Sequence, residues 1–134
     1  MEIDEINKIT KKAIGCAIEV HRELGPGLLE SVYQQCLQYE LERNNIKFEA
    51  EVPIPIKYKN SNIRFAFRAD FIIEDEVIIE LKAVEEIHPI HYAQLLTYLK
   101  LTGKKIGLII NFNTEVLKDG IKRRANEYIR FQNS

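Results

Sequence analysis

The chain has 134 residues and a mass of 15.6 kDa, the size of one ordinary domain spanning residues 1–134. Its 46% of hydrophobic and 29% of charged residues exclude an intrinsically disordered chain, and no apolar run approaches the roughly 18 residues of a transmembrane helix. The net charge of −1 argues against a nucleic-acid-binding protein. The charges are unevenly distributed, however. Residues 1–99 contain 11 Lys and Arg and 17 Asp and Glu, whereas residues 100–134 contain 8 Lys and Arg and 3 Asp and Glu. This asymmetry fits a metal site beside a phosphate-binding surface, and it fits two solvated faces about as well.

The cysteines and the N-terminus favour a cytoplasmic protein. Cys16 and Cys36 have no CxxC or histidine spacing, so we expect both to be reduced, buried and apolar in character. The sequence MEIDEINKITKK is amphipathic and mixed in charge, unlike a signal peptide. We therefore expect a cytoplasmic location and no membrane partner.

Two helices are predicted at the start of the chain. Apolar residues at three-and-four spacing predict the first over residues 3–24, and Gly25-Pro26-Gly27 ends it. The second is predicted over residues 28–44, and five of its residues form an apolar stripe: Val32, Tyr33, Cys36, Leu37 and Leu41. Glu30 projects from near this stripe, where a carboxylate is costly unless a partner compensates it. Taken alone, the pattern favours a first-turn role for Glu30, because acidic side chains favour helix N-termini.

Alternating patterns then predict a sheet. Every even position from residue 46 to residue 58 is apolar, which predicts a strand, and Pro53 and Pro55 indicate that one of its backbone edges is unpaired. After a turn at residues 60–62, a second strand is predicted to place its apolar residues on one face: Ile63, Phe65, Phe67, Ala69, Phe71 and Ile73. A third strand is predicted over residues 77–83.

The next segment predicts a βαβ unit. His88-Pro89 begins a helix that Gly103 ends, and a polar stripe lies along it: His91, Gln94 and Tyr98. A helix-orienting role is the favoured interpretation of His91. Residues 106–112 are apolar on both faces, as in a buried parallel strand, so the unit is expected to be right-handed. A turn at Asp119-Gly120 and a short helix over residues 123–131 are predicted for the tail.

The predicted hairpin between the second and third strands places two carboxylates side by side. If Ile73 pairs with Val77, then Asp70 faces Glu80 with Cβ atoms roughly 5 Å apart. Two carboxylates at that distance repel by about 3 kcal/mol at an effective dielectric near 20, so the pair predicts a bridging divalent cation or a retained proton. Mg²⁺ and Mn²⁺ prefer such oxygen ligands, and Lys82 points from the same face. This set is what metal-assisted phosphodiester hydrolysis needs.

The segment RADFIIEDEVIIELKA (68–83) resembles the core motif of the PD-(D/E)XK nuclease superfamily. The segment HRELGPGLLESVY (21–33) is similar to the signature of the GxxExxY family within it, through Gly27, Glu30 and Tyr33. Residues 88–112 and 117–123 also fit that family. The resemblance implies an α/β, restriction-endonuclease-like core, in which helices flank a mixed central sheet and a β-hairpin precedes the βαβ unit.

The same resemblance implies a metal-dependent nuclease acting on phosphodiester bonds. Asp70, Glu80, Glu30 and the backbone carbonyl of Leu81 are then expected to hold Mg²⁺ or Mn²⁺, which favours a site role for Glu30 over a capping role. Lys82 is expected to position the attacking water.

Other residues are expected to support this site and to hold the substrate. Gln94 and Tyr98 resemble the QxxxY element of RecB-type nucleases, which supports the site or contacts DNA. Six basic residues are expected to hold phosphates: Arg64, Arg68, Lys118, Lys122, Arg123 and Arg124. Nucleic acid, and DNA in particular, is the expected partner. A two-fold homodimer is expected, because one small domain offers one active site and a duplex has two strands.

Two other interpretations remain open. The first is a catalytically inactive module that binds nucleic acid or protein on the same fold; the intact acidic core argues against it, and the small size favours it. The second is a structural partner in a larger complex, which a large exposed apolar patch would indicate.

Overall fold

Three α-helices and five strands are formed by the part of the chain that the computed structural model describes, residues 1–127 without the side chains of residues 64–66. In chain order they are α1 (Ile3–Leu24), α2 (Glu30–Arg43), β1 (Phe48–Tyr58), β2 (Ser61–Ile73), β3 (Val77–Lys82), α3 (Pro89–Thr102), β4 (Ile106–Asn111), a 3₁₀ helix (Leu117–Gly120) and β5 (Ile121–Ala125). The three predicted helices up to residue 102 and the four predicted strands are confirmed within two residues at each end. No helix in residues 1–127 combines the length and apolar character needed to cross a bilayer.

The described strands form one mixed sheet in the order β1-β2-β3-β4-β5. β3 and β4 are parallel and α3 connects them, whereas the other neighbours are antiparallel. The predicted hairpin followed by a βαβ unit is therefore confirmed. Ile73 pairs with Val77 and Phe71 with Ile79, which confirms the predicted register.

Helices cover both faces of the sheet and create two cores. α1 and α2 pack on one face, where Phe71, Ile79 and Leu81 are buried. α3 packs on the other face over Ile78 and Ile109. This layering explains why β3 and β4 have apolar residues on both sides, since each face of these central strands meets a helix. Both cysteines are free, but only Cys16 is buried as expected, because Cys36 lies half-exposed on α2.

The prediction that the apolar residues of the second strand share one face is wrong. Phe71 lies in the core beneath α1 and α2, whereas Ala69 and Phe67 pack in the core of α3. The change of face occurs beside Glu51 of β1, whose φ of 53° is in the left-handed region. A residue in that conformation kinks a strand and increases its twist, so the alternation is interrupted there.

The prediction of a helix over residues 123–131 is wrong for its first three residues, because residues 123–125 belong to β5. Their backbone pairs with β4, with Arg123 opposite Leu108. The buried Asn126 then ends the strand, since its N–H donates to the Lys105 carbonyl and its Nδ2 donates to the Leu99 carbonyl. Residues 128–131 of that predicted helix lie outside the described residues.

β1 and β2 continue past β3 as a two-stranded ribbon. Pairing between β2 and β3 covers only residues 71–73 of β2, whereas β1 and β2 remain paired as far as Tyr58 and Ser61. We call residues 52–69 the hairpin arm. β1 is an edge strand of the described sheet, so the predicted unpaired edge is confirmed.

Candidate active site

The candidate site lies where β2 and β3 separate. Backbone pairing between the two strands ends at Phe71 and Ile79, and side chains take over the connection from there. The Asp70 N–H donates to Glu80 Oε1 at 3.2 Å, and the Leu81 N–H donates to Asp70 Oδ2 at 2.7 Å. Because a backbone donor of the opposite strand holds each carboxyl group, the two groups are fixed side by side.

Burial sets the protonation of this pair. Glu80 is only 6% exposed, and burial, together with the adjacent Asp70 charge, raises its pKa to about 9. Burial also raises the pKa of Asp70, while the hydrogen bond from the Leu81 N–H opposes that rise. At neutral pH without a cation, Glu80 therefore keeps its proton, one of the two outcomes that the predicted repulsion allows.

Lys82 and Glu30 flank the carboxyl pair. Lys82 is half-buried at the end of β3, and its charge lowers the pKa of Asp70 and of Glu80 against the stronger effect of burial. Glu30 is the first residue of α2 and is exposed; burial of part of its carboxyl group raises its pKa, Lys82 opposes the rise and Asp70 adds to it. Glu30 thus occupies the first turn of its helix and also lies within the electrostatic reach of the pair.

Two adjoining clefts open beside the pair. One has a volume of about 490 Å³ and includes Glu30 and Asp70 in its wall, whereas the other, of about 500 Å³, includes Lys82 and His91. Three side chains line both clefts: Phe67, Gln94 and Tyr98. Predicted site residues from α2, β2, β3 and α3 therefore line two clefts that share three wall residues, with Glu80 buried beside Asp70.

Residues of α3 form the polar wall of this opening. Tyr98 is 2% exposed, and burial together with the nearby charges of Glu80 and Asp70 raises its pKa well above the ordinary range, so its hydroxyl stays protonated. Its ring centroid lies 5.5 Å from that of Phe67. Gln94 is half-buried one turn earlier on the same helix. The polar stripe predicted on this helix therefore faces the carboxyl pair.

His91 has the helix-orienting role that its pattern favours. Its Nδ1 accepts a hydrogen bond of 3.1 Å from the His88 N–H and so caps the N-terminus of α3. Partial burial and the charges of Lys82 and His88 lower its pKa, which keeps the imidazole neutral at neutral pH. His91 also lines the second cleft, so the residue that caps α3 forms part of the wall of that cleft.

The donor set fits a hard divalent cation held by two carboxylates. Within residues 1–127, no group of three or more His, Cys, Asp or Glu side chains lies close enough to hold a metal, so the expected three-carboxylate group with Glu30 is not assembled. Mg²⁺ is nevertheless commonly bound through one or two carboxylates and several waters. The Asp70 and Glu80 side chains also hydrogen-bond to each other, and a cation held between them would take the place of the Glu80 proton. The carbonyl of Leu81 points to the same strand edge as its N–H, toward this pair.

The basic residues predicted to bind phosphates differ in exposure and position. Arg68 is exposed and lines the first cleft beside Asp70. The side chain of Arg64 lies outside the described residues. Lys118 is exposed on the 3₁₀ helix, and Lys122 is half-buried on β5. Of the described basic residues in this set, Arg68 is the one that lines a cleft at the candidate site.

Two of the basic residues of β5 contact opposite helical layers. Arg123 donates to Asn7 on α1, whereas the guanidinium of Arg124 lies 4.2 Å from the ring centroid of Tyr92 on α3. α1 and α3 cover opposite faces of the sheet. The basic C-terminal region is therefore divided between two faces.

Two residues near the site were not predicted. Glu51 lines the first cleft, and its charge contributes to the raised pKa of Asp70. Asn111, 4% exposed at the end of β4, accepts from the Val84 N–H at 3.1 Å and donates to the Val84 carbonyl at 2.8 Å, which fixes the chain just after Lys82. Glu51 gave no signal, because it occupies a polar position of an alternating strand. Asn111 gave a signal, because it is a single amide side chain within an apolar run, and a buried amide needs hydrogen-bond partners.

Comparison with known protein families gives one match over most of the chain. A family model described as the PD-(D/E)XK nuclease superfamily matches residues 7–124. Searches of curated proteins and of solved structures give no match.

Proposed function

Because the chain belongs to the PD-(D/E)XK nuclease superfamily, we propose that it hydrolyses phosphodiester bonds of nucleic acid with Mg²⁺ or Mn²⁺ at Asp70 and Glu80. Its mixed sheet with helices on both faces is a restriction-endonuclease-like fold. The observation that carries the proposal is the buried carboxyl pair at the separation of β2 and β3, with Lys82 beside it and an open cleft above it.

We further assign the chain to the GxxExxY family within the superfamily. Gly27 has a φ of 98°, a backbone conformation that glycine adopts without strain. Tyr33 is fully buried, and its hydroxyl donates to the Gly25 carbonyl at 2.6 Å and accepts from the Leu28 N–H at 3.1 Å. These bonds fix the connection between α1 and α2. Gly27 and Tyr33 of the motif thus shape the connection that places Glu30 at the rim of the cleft.

The residues present divide the chemistry among them. Asp70, Glu80 after loss of its proton, and the Leu81 carbonyl would hold the cation, and Glu30 at the rim would add negative charge near it. A bound Mg²⁺ or Mn²⁺ supplies positive charge for the attacked phosphate and favours ionisation of a water. The Lys82 ammonium orients the attacking water and offsets charge that develops on the phosphate.

The polar wall of the cleft would orient the substrate. The protonated Tyr98 hydroxyl and the Gln94 amide are hydrogen-bond donors suited to phosphate oxygens. Arg68, exposed beside Asp70, would hold a neighbouring phosphate of the strand. Arg123 and Arg124 contact opposite helical layers, and we expect these two residues, with Lys118 and Lys122, to contribute to affinity through long-range attraction.

Cleavage of single- and double-stranded DNA and RNA in the presence of Mn²⁺ tests the proposal. We expect the wild type to cleave and Glu80→Gln to be inactive, since this variant cannot supply a carboxylate. Glu23→Gln, an exposed position on α1, removes the same charge and should retain activity. Binding without cleavage by the wild type would instead support the inactive-module alternative.

A cytoplasmic location and a two-fold homodimer complete the proposal. The dimer would present two clefts to the two strands of a duplex. Sedimentation at micromolar protein concentration should give twice the chain mass of 15.6 kDa, and a species of the chain mass alone would contradict the dimer.

A further inference from the structure

The hairpin arm, residues 52–69, has an unusual charge distribution. Its eighteen residues include four basic ones, Lys57, Lys59, Arg64 and Arg68, and no Asp or Glu. The chain as a whole has 20 acidic residues and a net charge of −1. The arm is therefore a local cationic element whose two ends adjoin acidic residues of the candidate site, Glu51 and Asp70. Such an element attracts polyanions sequence-independently.

The tip of the arm is exposed to solvent. Lys57 and Lys59 are exposed on either side of Tyr58, whose side chain is 63% exposed. Lys59 Nζ lies 5.5 Å from the ring centroid of Tyr58. No apolar core of the described residues includes these three side chains, so folding gives no evident reason for an aromatic residue at this position. An exposed aromatic ring between two lysines is suited to contact with nucleic acid.

The base of the arm is firmly attached to the candidate site. Ile54 and Ala69 are buried in the core beneath α3. Phe67 contacts the ring of Tyr98 and lines both clefts. The base of the arm is therefore fixed against the wall of the cleft, next to Asp70.

The shape of the arm selects one kind of polyanion. It is an antiparallel ribbon of two strands, and neighbouring strands lie about 4.8 Å apart. The major groove of B-form DNA, about 12 Å wide, admits a two-stranded ribbon. The major groove of A-form RNA is too narrow for protein side chains to read.

We propose that the hairpin arm inserts into the major groove of duplex DNA, with Lys57 and Lys59 on the phosphates that border the groove and Tyr58 toward the base edges. This inference rests on the proposed function for the role of the cleft, and it specifies the substrate class as duplex DNA. The arm then determines which duplex segment lies over Asp70 and Glu80.

Binding measurements in the Glu80→Gln background test the arm without interference from cleavage. The arm variant is Lys57→Ser with Lys59→Ser, and the matched control is Lys8→Ser with Lys11→Ser, which removes two exposed lysines from α1. We expect the arm variant to bind duplex DNA about tenfold more weakly, with a salt slope smaller by about 1.8 for two lost phosphate contacts. Tyr58→Ser should weaken binding to duplex DNA while leaving the salt slope unchanged, because it removes no charge.

The same oligonucleotide sequence as duplex RNA and as single-stranded DNA identifies the groove. A loss specific to duplex DNA supports the proposal. Equal losses on duplex RNA, or equal losses in the α1 control, would overturn it. Cleavage of the small diester bis(p-nitrophenyl) phosphate, which has no groove, tests the proposed function separately. If the wild type does not cleave this diester, the nuclease proposal fails. The arm proposal still stands in that case, provided that the arm variant loses affinity for duplex DNA.

Discussion

Replacing Glu80 by Gln should stabilise the protein at neutral and alkaline pH when no divalent cation is present. The structure gives the reason, because burial and the Asp70 charge raise the pKa of Glu80 from 4.5 to about 9. Between these two values the unfolded chain has lost the Glu80 proton and the folded chain retains it. Folding then takes up a proton, so the stability contributed by the protonated group falls as pH rises through this window. Gln retains the shape and hydrogen bonds of the protonated acid and does not ionise.

The size of the effect follows from the width of the window. Each pKa unit corresponds to about 1.4 kcal/mol, so the wild type loses about 3 kcal/mol between pH 4.5 and pH 7, and about 6 kcal/mol by pH 9. Relaxation of the ionised site and entry of water reduce these values, so they are upper bounds. For a chain of this length, about 3 kcal/mol corresponds to a difference in Tm of about 10 °C.

Urea unfolding of wild type and Glu80→Gln, from about pH 5 to about pH 9 in EDTA, measures the difference. The advantage of the variant should be small near pH 5 and should grow steadily with pH. Glu49→Gln, an exposed position on β1, is the charge-matched control and should follow the wild type. Millimolar Mg²⁺ or Mn²⁺ should restore the wild type, because an ion that binds only the folded state stabilises it, and should leave Glu80→Gln nearly unchanged.

A stability difference that does not vary with pH would refute this reasoning, since it would show that Glu80 ionises at its ordinary pKa. An increase in wild-type stability between pH 5 and pH 8 would refute it as well. Equal stabilisation of both proteins by Mn²⁺ would place the cation away from Glu80.

Three other substitutions have distinct expected outcomes. Lys82→Ala should lower the single-turnover cleavage rate by about 100-fold, because the Lys82 ammonium acts mainly in the transition state. The Kd for the same oligonucleotide should change little. Equal cleavage rates for wild type and variant would remove Lys82 from the mechanism. Asn111→Ala should lower the free energy of unfolding by about 2–3 kcal/mol in urea, since it leaves the N–H and carbonyl of Val84 unpaired. A loss under about 0.5 kcal/mol would show that water replaces the amide. Tyr33→Phe should lower the stability of the protein by about 1–2 kcal/mol and should also lower the cleavage rate, because the Tyr33 hydroxyl fixes the α1–α2 connection that places Glu30. Unchanged cleavage with lowered stability would show that Glu30 takes no part in the reaction.

The register of the carboxyl pair could be predicted because two independent patterns agree on it. β2 is apolar over its last residues and β3 over its first, and a slip by one residue would expose Phe71 or bury the wrong face of β3. The turn between Ile73 and Val77 then fixes which residue faces which. Local alternation and turn length were sufficient, so Asp70 and Glu80 could be placed together from the sequence.

Other features depend on contacts between distant segments and left no local pattern. The change of face in β2 requires a left-handed residue at Glu51, a conformation that nothing in the neighbouring sequence demands. The sequence of β5 predicts a helix, because its arginines and alanine favour one. Pairing with β4 overrides that preference. The protonation of Glu80 depends on burial by segments far apart in the chain, so the sequence alone predicts only that the pair holds a cation or a proton.

The edges of the sheet limit how copies of this chain can associate. β1 lies at one edge of the described sheet, and Pro53 and Pro55 deprive it of two backbone donors. β5 lies at the other edge, where Lys122, Arg123 and Arg124 follow one another. Proline and clustered positive charge both discourage a second chain from adding a strand, which protects against intermolecular sheet growth and amyloid-like aggregation. A dimer of this protein is therefore expected to form through its helices or loops, with each sheet ending at its own boundaries.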